Sequence, residues 1–358
     1  MKRIEIFIRQ IILHLLLLFK RTKKKSTLPV IDKNSKLLFI RLNRIGDALV
    51  TTSLLYELKQ QTGCKIFVLA SEQNYFIFNN SQLCDEIIIY NKKIKSQKGL
   101  INKLNELDFD AVIDLHDDVS TTVSYIVALT KCEYKIGFDK SNAKIYSNLI
   151  ARPDSSKYHV IDRVMEFCKA FNIKPVNSDV NIKYQPSVES INFIDNFIGK
   201  NLSNQKFILG INISAGSDAR FWGIDNYKSL VKQIKEYEIT PLIMCVERDL
   251  ELALKISQNN IPIFYNPSFD IFAAMVSRLD FLFTPDTSIV HIASAFKVPT
   301  FGIYVKYNTN DVIWYPYKSK FDSVITLEPT LKNVKFDEVK NKFIPFFEKI
   351  YYEHKQNS

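Results

Sequence analysis

The chain has 358 residues, 46% hydrophobic and 24% charged, an ordinary globular composition with length enough for two domains. Its five cysteines, Cys64, Cys84, Cys132, Cys168 and Cys245, are odd in number, widely spaced and never paired as C-x-x-C; neither a disulfide framework nor a zinc site is expected, and a reducing cytoplasm fits. The net charge of +10 resembles a nucleic-acid signal, but residues 1–25 hold eight basic residues against the single acid Glu5, so only about +3 remains for the other 333 and no nucleic-acid partner is expected.

Residues 4–19 form an apolar-rich stretch between Lys2-Arg3 and the run Lys20, Arg21, Lys23, Lys24 and Lys25. Sixteen residues containing Glu5, Arg9, Gln10 and His14 fall short of the roughly 17–25 apolar residues that a spanning helix needs. On a helical wheel those four polar groups share one half, while Ile4, Phe7, Ile8, Ile11, Leu15 and Leu18 take the other. The pattern predicts an amphipathic helix lying in a membrane interface, its flanking cations on anionic headgroups. The alternatives are a helix packed on the protein and a signal peptide, which lacks its small-residue cleavage site here.

Beyond Pro29, short apolar runs alternate with helical periods, the mark of βαβ units and parallel sheets. Strands are predicted at 37–42, 65–70, 86–90, 111–115 and 134–137, with helices at about 47–61, 72–79, 97–107, 119–130 and 159–172. A polar stretch over 174–190, with Pro175 and Pro186, reads as the linker region. The pattern restarts with strands at 207–213, 240–245, 261–264, 280–284 and 299–303 and helices at about 224–237, 248–258, 269–278, 288–296 and 336–351. The organisation is an interface helix with basic linker (1–30), then two Rossmann-like domains (31–180 and 181–358). Ligands of such sheets sit beyond the carboxyl ends of the strands, so the two halves are expected to face a shared cleft.

Polar residues gather at those strand ends. The first strand runs into Arg44-Ile45-Gly46-Asp47, where Gly46 permits a tight turn and Asp47 serves either as a helix cap or as a general base. No G-x-G-x-x-G follows, which removes the dinucleotide fingerprint. In the second half Asp286-Thr287-Ser288 opens a helix containing His291; free N–H groups and two hydroxyls suit a diphosphate, against a reading as a capped helix with a structural histidine. The loop from Asn212 to Trp222 offers the small residues Ser214 and Gly216 for close approach and Arg220 as a fixed charge, or is a surface loop anchored by Trp222. Glu247 follows the next strand, where a carboxylate can accept from ribose hydroxyls or simply be solvated. Asp108-Phe109-Asp110 has the D-x-D form of a metal–nucleotide site but directly precedes an apolar strand and reads as strand entry. No H-E-x-x-H, P-loop or G-x-S-x-G pattern is present.

Residues 37–47, ending Arg44-Ile45-Gly46-Asp47, and Asp286-Thr287-Ser288-Ile289-Val290-His291 with Val298-Pro299 and Phe301-Gly302 resemble glycosyltransferase family 9, the ADP-heptose lipopolysaccharide heptosyltransferases. Residues 159–163, Ser214-Ala215-Gly216, Arg220, Trp222 and Glu247 add weaker support, and the similarity covers 36 to about 320. The resemblance implies a GT-B fold and a single displacement inverting the anomeric carbon. It makes Asp47 the base on the acceptor hydroxyl, with Arg44 and Gly46 on the acceptor side. It makes Arg220 the cation on the leaving diphosphate, and places Ser214, Gly216, Glu247, Asp286, Thr287, Ser288 and His291 around the donor. Ser288 stands where glycine is commoner and Arg220 where many members have lysine, which bears on the exact sugar and nucleotide more than on the class.

The implied partners are an ADP-heptose donor, a lipid-linked glycan acceptor and an anionic membrane surface, at the cytoplasmic face of the inner membrane, with no obligatory metal or cofactor. Rival readings keep the reaction with another nucleotide sugar or with a protein or other glycan acceptor. A further one makes the chain a nucleotide-binding membrane module without turnover.

Overall fold

A computed structural model describes residues 2–79, 83–91, 94–176, 180–202 and 207–357. The chain divides into two compact units, 1–183 and 184–358.

Unit 1 runs α1 (Lys2–Phe19), β1 (Lys36–Arg41), α2 (Ile45–Thr62), β2 (Lys65–Ser71), α3 (Phe76–Asn79), β3 (Glu86–Tyr90), α4 (Ile94–Glu106), β4 (Ala111–Asp114), α5 (Thr121–Leu129), β5 (Tyr134–Phe138), β6 (Asn148–Ile150) and α6 (Val160–Met165). Its sheet has the order β3-β2-β1-β4-β5-β6 with every pairing parallel. Leu37, Leu38, Phe39 and Ile40 of β1 are wholly buried, which a strand covered by helices on both faces requires and which explains its unbroken apolar run. Gly63 ends α2 in the left-handed region at φ 66°, its N–H bonded to the Lys59 carbonyl, a conformation that L side chains resist.

Unit 2 runs α7 (Val188–Asn201), β7 (Ile208–Asn212), α8 (Ile224–Ile234), β8 (Thr240–Cys245), α9 (Leu250–Ser257), β9 (Ile263–Tyr265), α10 (Phe269–Val276), β10 (Phe281–Pro285), α11 (Ile289–Ala295), β11 (Thr300–Val305), β12 (Phe321–Thr326) and α12 (Phe336–Asn357). The sheet is again all parallel, in the order β12-β11-β10-β7-β8-β9. Renumbered within its own unit, that order is the same as that of unit 1. Both units therefore have the doubly wound Rossmann order, and the winding reverses between β1 and β4 and between β7 and β10, where such sheets bind ligands.

Several elements differ from those expected. The predicted helix at 72–79 shrinks to Phe76–Asn79, because the Asn74 side chain instead closes a turn on the Ser71 N–H (2.8 Å). The helix expected over 159–172 is α6 followed by a 3-10 turn over Glu166–Phe171, which Asn172 ends at φ 53°. Strands β6 and β12 and helix α7 are additional. The proline-containing stretch at 174–190, of which 177–179 lie outside the described residues, runs into α7, capped by the Ser187 hydroxyl accepting from the Ser190 N–H (3.2 Å). Asp110 of the D-x-D sequence accepts from the Lys36 N–H at 2.8 Å, a strand-entry contact.

Helix α1 packs against α5, with Leu17 on the unit 1 core. The chain after it is fastened along the β6 edge: the Thr22 N–H donates to the Lys144 carbonyl (2.9 Å) and the Lys25 N–H to the Ser147 carbonyl (3.0 Å). Ile11, Leu15 and Leu18 nevertheless stay exposed, at 44%, 48% and 51%, so docking uses only part of the apolar surface. The half of the wheel on residues 4–9 lies outside the described side chains. Among the described residues no helix is long and apolar enough to cross a membrane.

Candidate active site

At the β1/β4 switch point, α2 begins at Ile45 with Arg44 as its N-cap and no side-chain cap hydrogen bond. Asp47 is therefore the third helical residue and not the cap, which corrects one of its two expected roles. Arg41, the last residue of β1, is buried, with its Nε donating to the Thr51 hydroxyl (2.9 Å). That hydroxyl donates in turn to the Asp47 carbonyl (2.9 Å), and the Arg41 guanidinium stands 3.6 Å from the Asp47 carboxylate. Burial pulls the Arg41 pKa down while Asp47 and Asp114 oppose the shift. The preceding loop is held by Asn74, whose amide donates to the Arg41 (3.0 Å) and Asn43 (2.9 Å) carbonyls. The outcome is a carboxylate 17% exposed on a backbone fixed by the Thr51 and Asn74 contacts, partly accessible as a general base requires. Gly46 is buried in the same turn and Arg44 is exposed beside it.

The neighbouring strand end carries a polar network that sequence reasoning did not single out. Asp114, the last residue of β4, is 1% exposed. One of its oxygens accepts from His116 Nδ1 (2.8 Å) and the His116 N–H (2.9 Å); the other accepts from the Tyr146 hydroxyl (2.5 Å) and the Lys140 ammonium (3.1 Å). The Leu42 N–H donates to His116 Nε2 at 3.2 Å, so the pattern assigns the ring proton to Nδ1. Burial raises the Asp114 pKa, but the His116, Lys140 and Tyr146 contacts outweigh it and hold the carboxyl well below the usual range. Gly137 makes the arrangement possible, since a Cβ there would stand 2.6 Å from the Tyr146 ring. Through Leu42 the network braces the loop that leads to Asp47. Beyond it, Asp117 receives Arg163 and, at 2.8 Å, Arg152.

At the β7/β10 switch point the loop after β7 reaches a 3-10 turn over Asp218–Arg220, anchored by fully buried Trp222, whose indole donates to the Val334 carbonyl (2.9 Å). Arg220 meets the Asp286 carboxylate at 3.0 Å, both side chains partly exposed. Ser288 is the N-cap of α11 and makes no side-chain cap hydrogen bond; Thr287 and Ser288 are half-buried at a helix start where the Val290 and His291 N–H groups already donate to the Thr287 (3.1 Å) and Ser288 (3.0 Å) carbonyls. The Ser214 hydroxyl is already engaged, donating to Asp249 (2.5 Å) and accepting from the Val246 N–H (3.0 Å). With Arg248 donating to the Ala215 carbonyl, these bonds tie the loop after β8, with exposed Glu247, to the exposed Gly216 loop. His291 lies deeper than expected: it is 3% exposed, its Nδ1 has no hydrogen-bond partner among the described residues, and burial pushes its pKa down to about 4. Its ring packs on Trp314, centroids 5.6 Å apart, in surroundings that favour the neutral form. Among the described residues, no group of three or more His, Cys, Asp and Glu side chains is placed to hold a metal ion.

Two Rossmann-ordered sheets with polar side chains collected at each switch point make up the GT-B fold of nucleotide-sugar glycosyltransferases. A glycosyltransferase family 9 structure from Veillonella parvula superposes with a TM-score of 0.76 at 16% identity, covering 90% of this chain and 99% of that one. Escherichia coli heptosyltransferase WaaC with ADP superposes at 0.69 and 16% identity, covering 88% and 98%. A protein of Escherichia coli (strain K12), designated provisionally as lipopolysaccharide heptosyltransferase 4, is 24% identical over 311 residues, 84% of this chain and 83% of its own length. The family model of glycosyltransferase family 9 (heptosyltransferase) matches residues 98–343, and the chain belongs to that family. It is a glycosyltransferase, and its relatives support a role in lipopolysaccharide heptosyl transfer.

Proposed function

We propose that the protein moves a heptose from ADP-heptose, with inversion at the anomeric carbon, to a lipopolysaccharide inner-core or related glycan acceptor. Unit 1 supplies the base and acceptor side, unit 2 the donor side. The Asp47 carboxylate takes the proton of the acceptor hydroxyl as its oxygen bonds to C1. The C1–O bond to the diphosphate breaks, and the electron pair leaves with ADP. Arg220, Thr287, Ser288 and the α11 start offset the charge developing there, Glu247 accepts from the ribose hydroxyls, and the scheme includes no resident metal. The observation that carries the donor assignment is Arg220, half-buried and aligned by Asp286 at the β7/β10 switch point. We further propose that α1 and the cations after it hold the enzyme on the anionic cytoplasmic face of the inner membrane.

Calorimetric titration with ADP tests the donor site. Arg220→Ala is expected to weaken binding by about 10–100-fold, the worth of a charge-assisted phosphate contact of roughly 1.5–3 kcal/mol. Equal affinity in the variant would remove Arg220 from the donor site.

A further inference from the structure

Beneath α1 lies a cavity of about 310 Å³ lined chiefly by Ile12, Tyr90, Leu100, Ile101, Tyr125 and Ile126. It sits between α1, α4 and α5 and reaches the last residue of β3. This is the carboxyl end of the sheet, the same end that carries Asp47, two strands and so about 10 Å from β1. Gln97, Thr121 and Thr122 complete the lining, which among the described residues carries no charge, so it offers the phosphates of a nucleotide no cation, and most of its surface is apolar. Its volume, at the low end for ligand pockets, suits one slender apolar chain.

The surroundings indicate the source of that chain. Ile12, which lines the cavity, is itself 47% exposed, and Ile11, Leu15, Leu18 and Phe19 continue an exposed apolar row along α1. Directly beyond that row, where α1 ends at Phe19 about 10 Å along from Ile12 at about 1.5 Å per residue, Lys20, Arg21 and Lys23 are exposed. An apolar slot, an apolar rim and a cationic end in that order match an acyl chain, its neighbours and an anionic headgroup region. We propose that the cavity takes one acyl chain of an anionic membrane phospholipid. The proposal rests on the membrane-surface reading above and adds to it a defined site for a single lipid chain.

The test uses the full chain with phosphatidylglycerol–phosphatidylcholine vesicles containing a phosphatidylglycerol that bears a diazirine in its acyl chain. After illumination, crosslinks mapped by mass spectrometry are expected on Leu100, Ile101 or Tyr125. Thr122→Trp, at a half-buried lining position, should fill the slot and cut those crosslinks by about tenfold, the equivalent of roughly two methylenes excluded, while vesicle pelleting is retained. Ile12→Glu, at an exposed position, serves the same purpose should the tryptophan disturb α5, and circular dichroism monitors both variants. Crosslinks confined to Ile11, Leu15, Leu18 and Phe19 and unchanged in both variants would overturn the cavity assignment while leaving membrane attachment standing. Failure of the unaltered protein to pellet with the vesicles would overturn the attachment and the lipid site together.

Discussion

Replacing Asp47 with asparagine is expected to lower kcat by about 10²–10⁴-fold, the usual size of a general-base contribution, while the KM for the donor stays nearly constant. The substitution is nearly isosteric. Arg44 caps α2, so no capping bond is lost, and the carboxylate's favourable place in the first helical turn is worth only about 0.3–1 kcal/mol. The amide oxygen can still face Arg41, whose guanidinium keeps its bond to Thr51. Because buried Arg41 loses the counter-charge it has at 3.6 Å, some fall in thermal midpoint is expected as well, and the kinetic loss measured well below that midpoint separates base from structural support. Near-normal turnover in Asp47→Asn would shift the base to another carboxylate of unit 1.

Asp114→Asn is expected to have the largest effect on stability. The carboxylate accepts from His116, Tyr146 and Lys140, and an amide has only one oxygen to serve them. The Lys140 side chain, 2% exposed, would be left as a buried cation without its counter-charge, and breaking a buried pair from one side costs about 3–5 kcal/mol. For a unit of this size that is a fall of about 6–20 °C in midpoint. Adding Lys140→Met to Asp114→Asn should recover part of the loss, because the stranded charge goes with it. The pH dependence follows from the depressed carboxyl: its contribution is fully present above the unfolded value near pH 3.9 and is lost as pH falls toward the folded one. The deficit of Asp114→Asn should accordingly shrink below about pH 4. Denaturant titrations of the three proteins at neutral and acid pH check this, and equal stability of wild type and Asp114→Asn at neutral pH would contradict it.

The alternation of buried strands and helices was legible because parallel strands covered on both faces are unbroken apolar runs, as at Leu37–Ile40. What escaped was weakly patterned: β6 has three residues, and β12, with Phe321 exposed and Val324 buried, carries half-polar edge sequence. Helix α7 hid behind Pro186 because its capping serine reads equally well as linker. Asp47 and Asp286 stand out in the sequence because each is an acid close behind an apolar strand, where a helical period begins. The Asp114 network does not: Asp114 and His116 are two residues apart and offer a local signal, but Lys140 and Tyr146 arrive from the far end of β5. Nor does any pattern in Arg41-Leu42-Asn43-Arg44 indicate that the first arginine is buried against Thr51 while the second sits exposed at a helix N-cap position without a capping bond. The spacing of the motif places His291 one turn into the helix, but its depth below the helix surface is a property of packing that the spacing does not encode.

The most direct test of the account is transfer itself. The purified full chain is incubated with ADP-heptose and a heptose-free inner-core acceptor, and the product is followed by mass and by the anomeric coupling of its NMR spectrum. The acceptor is expected to gain one heptose with ADP released in equal amount, the configuration at C1 to be inverted, and Asp47→Asn to abolish most of the rate. Transfer from a different nucleotide sugar with none from ADP-heptose, or a product that retains configuration, would contradict it.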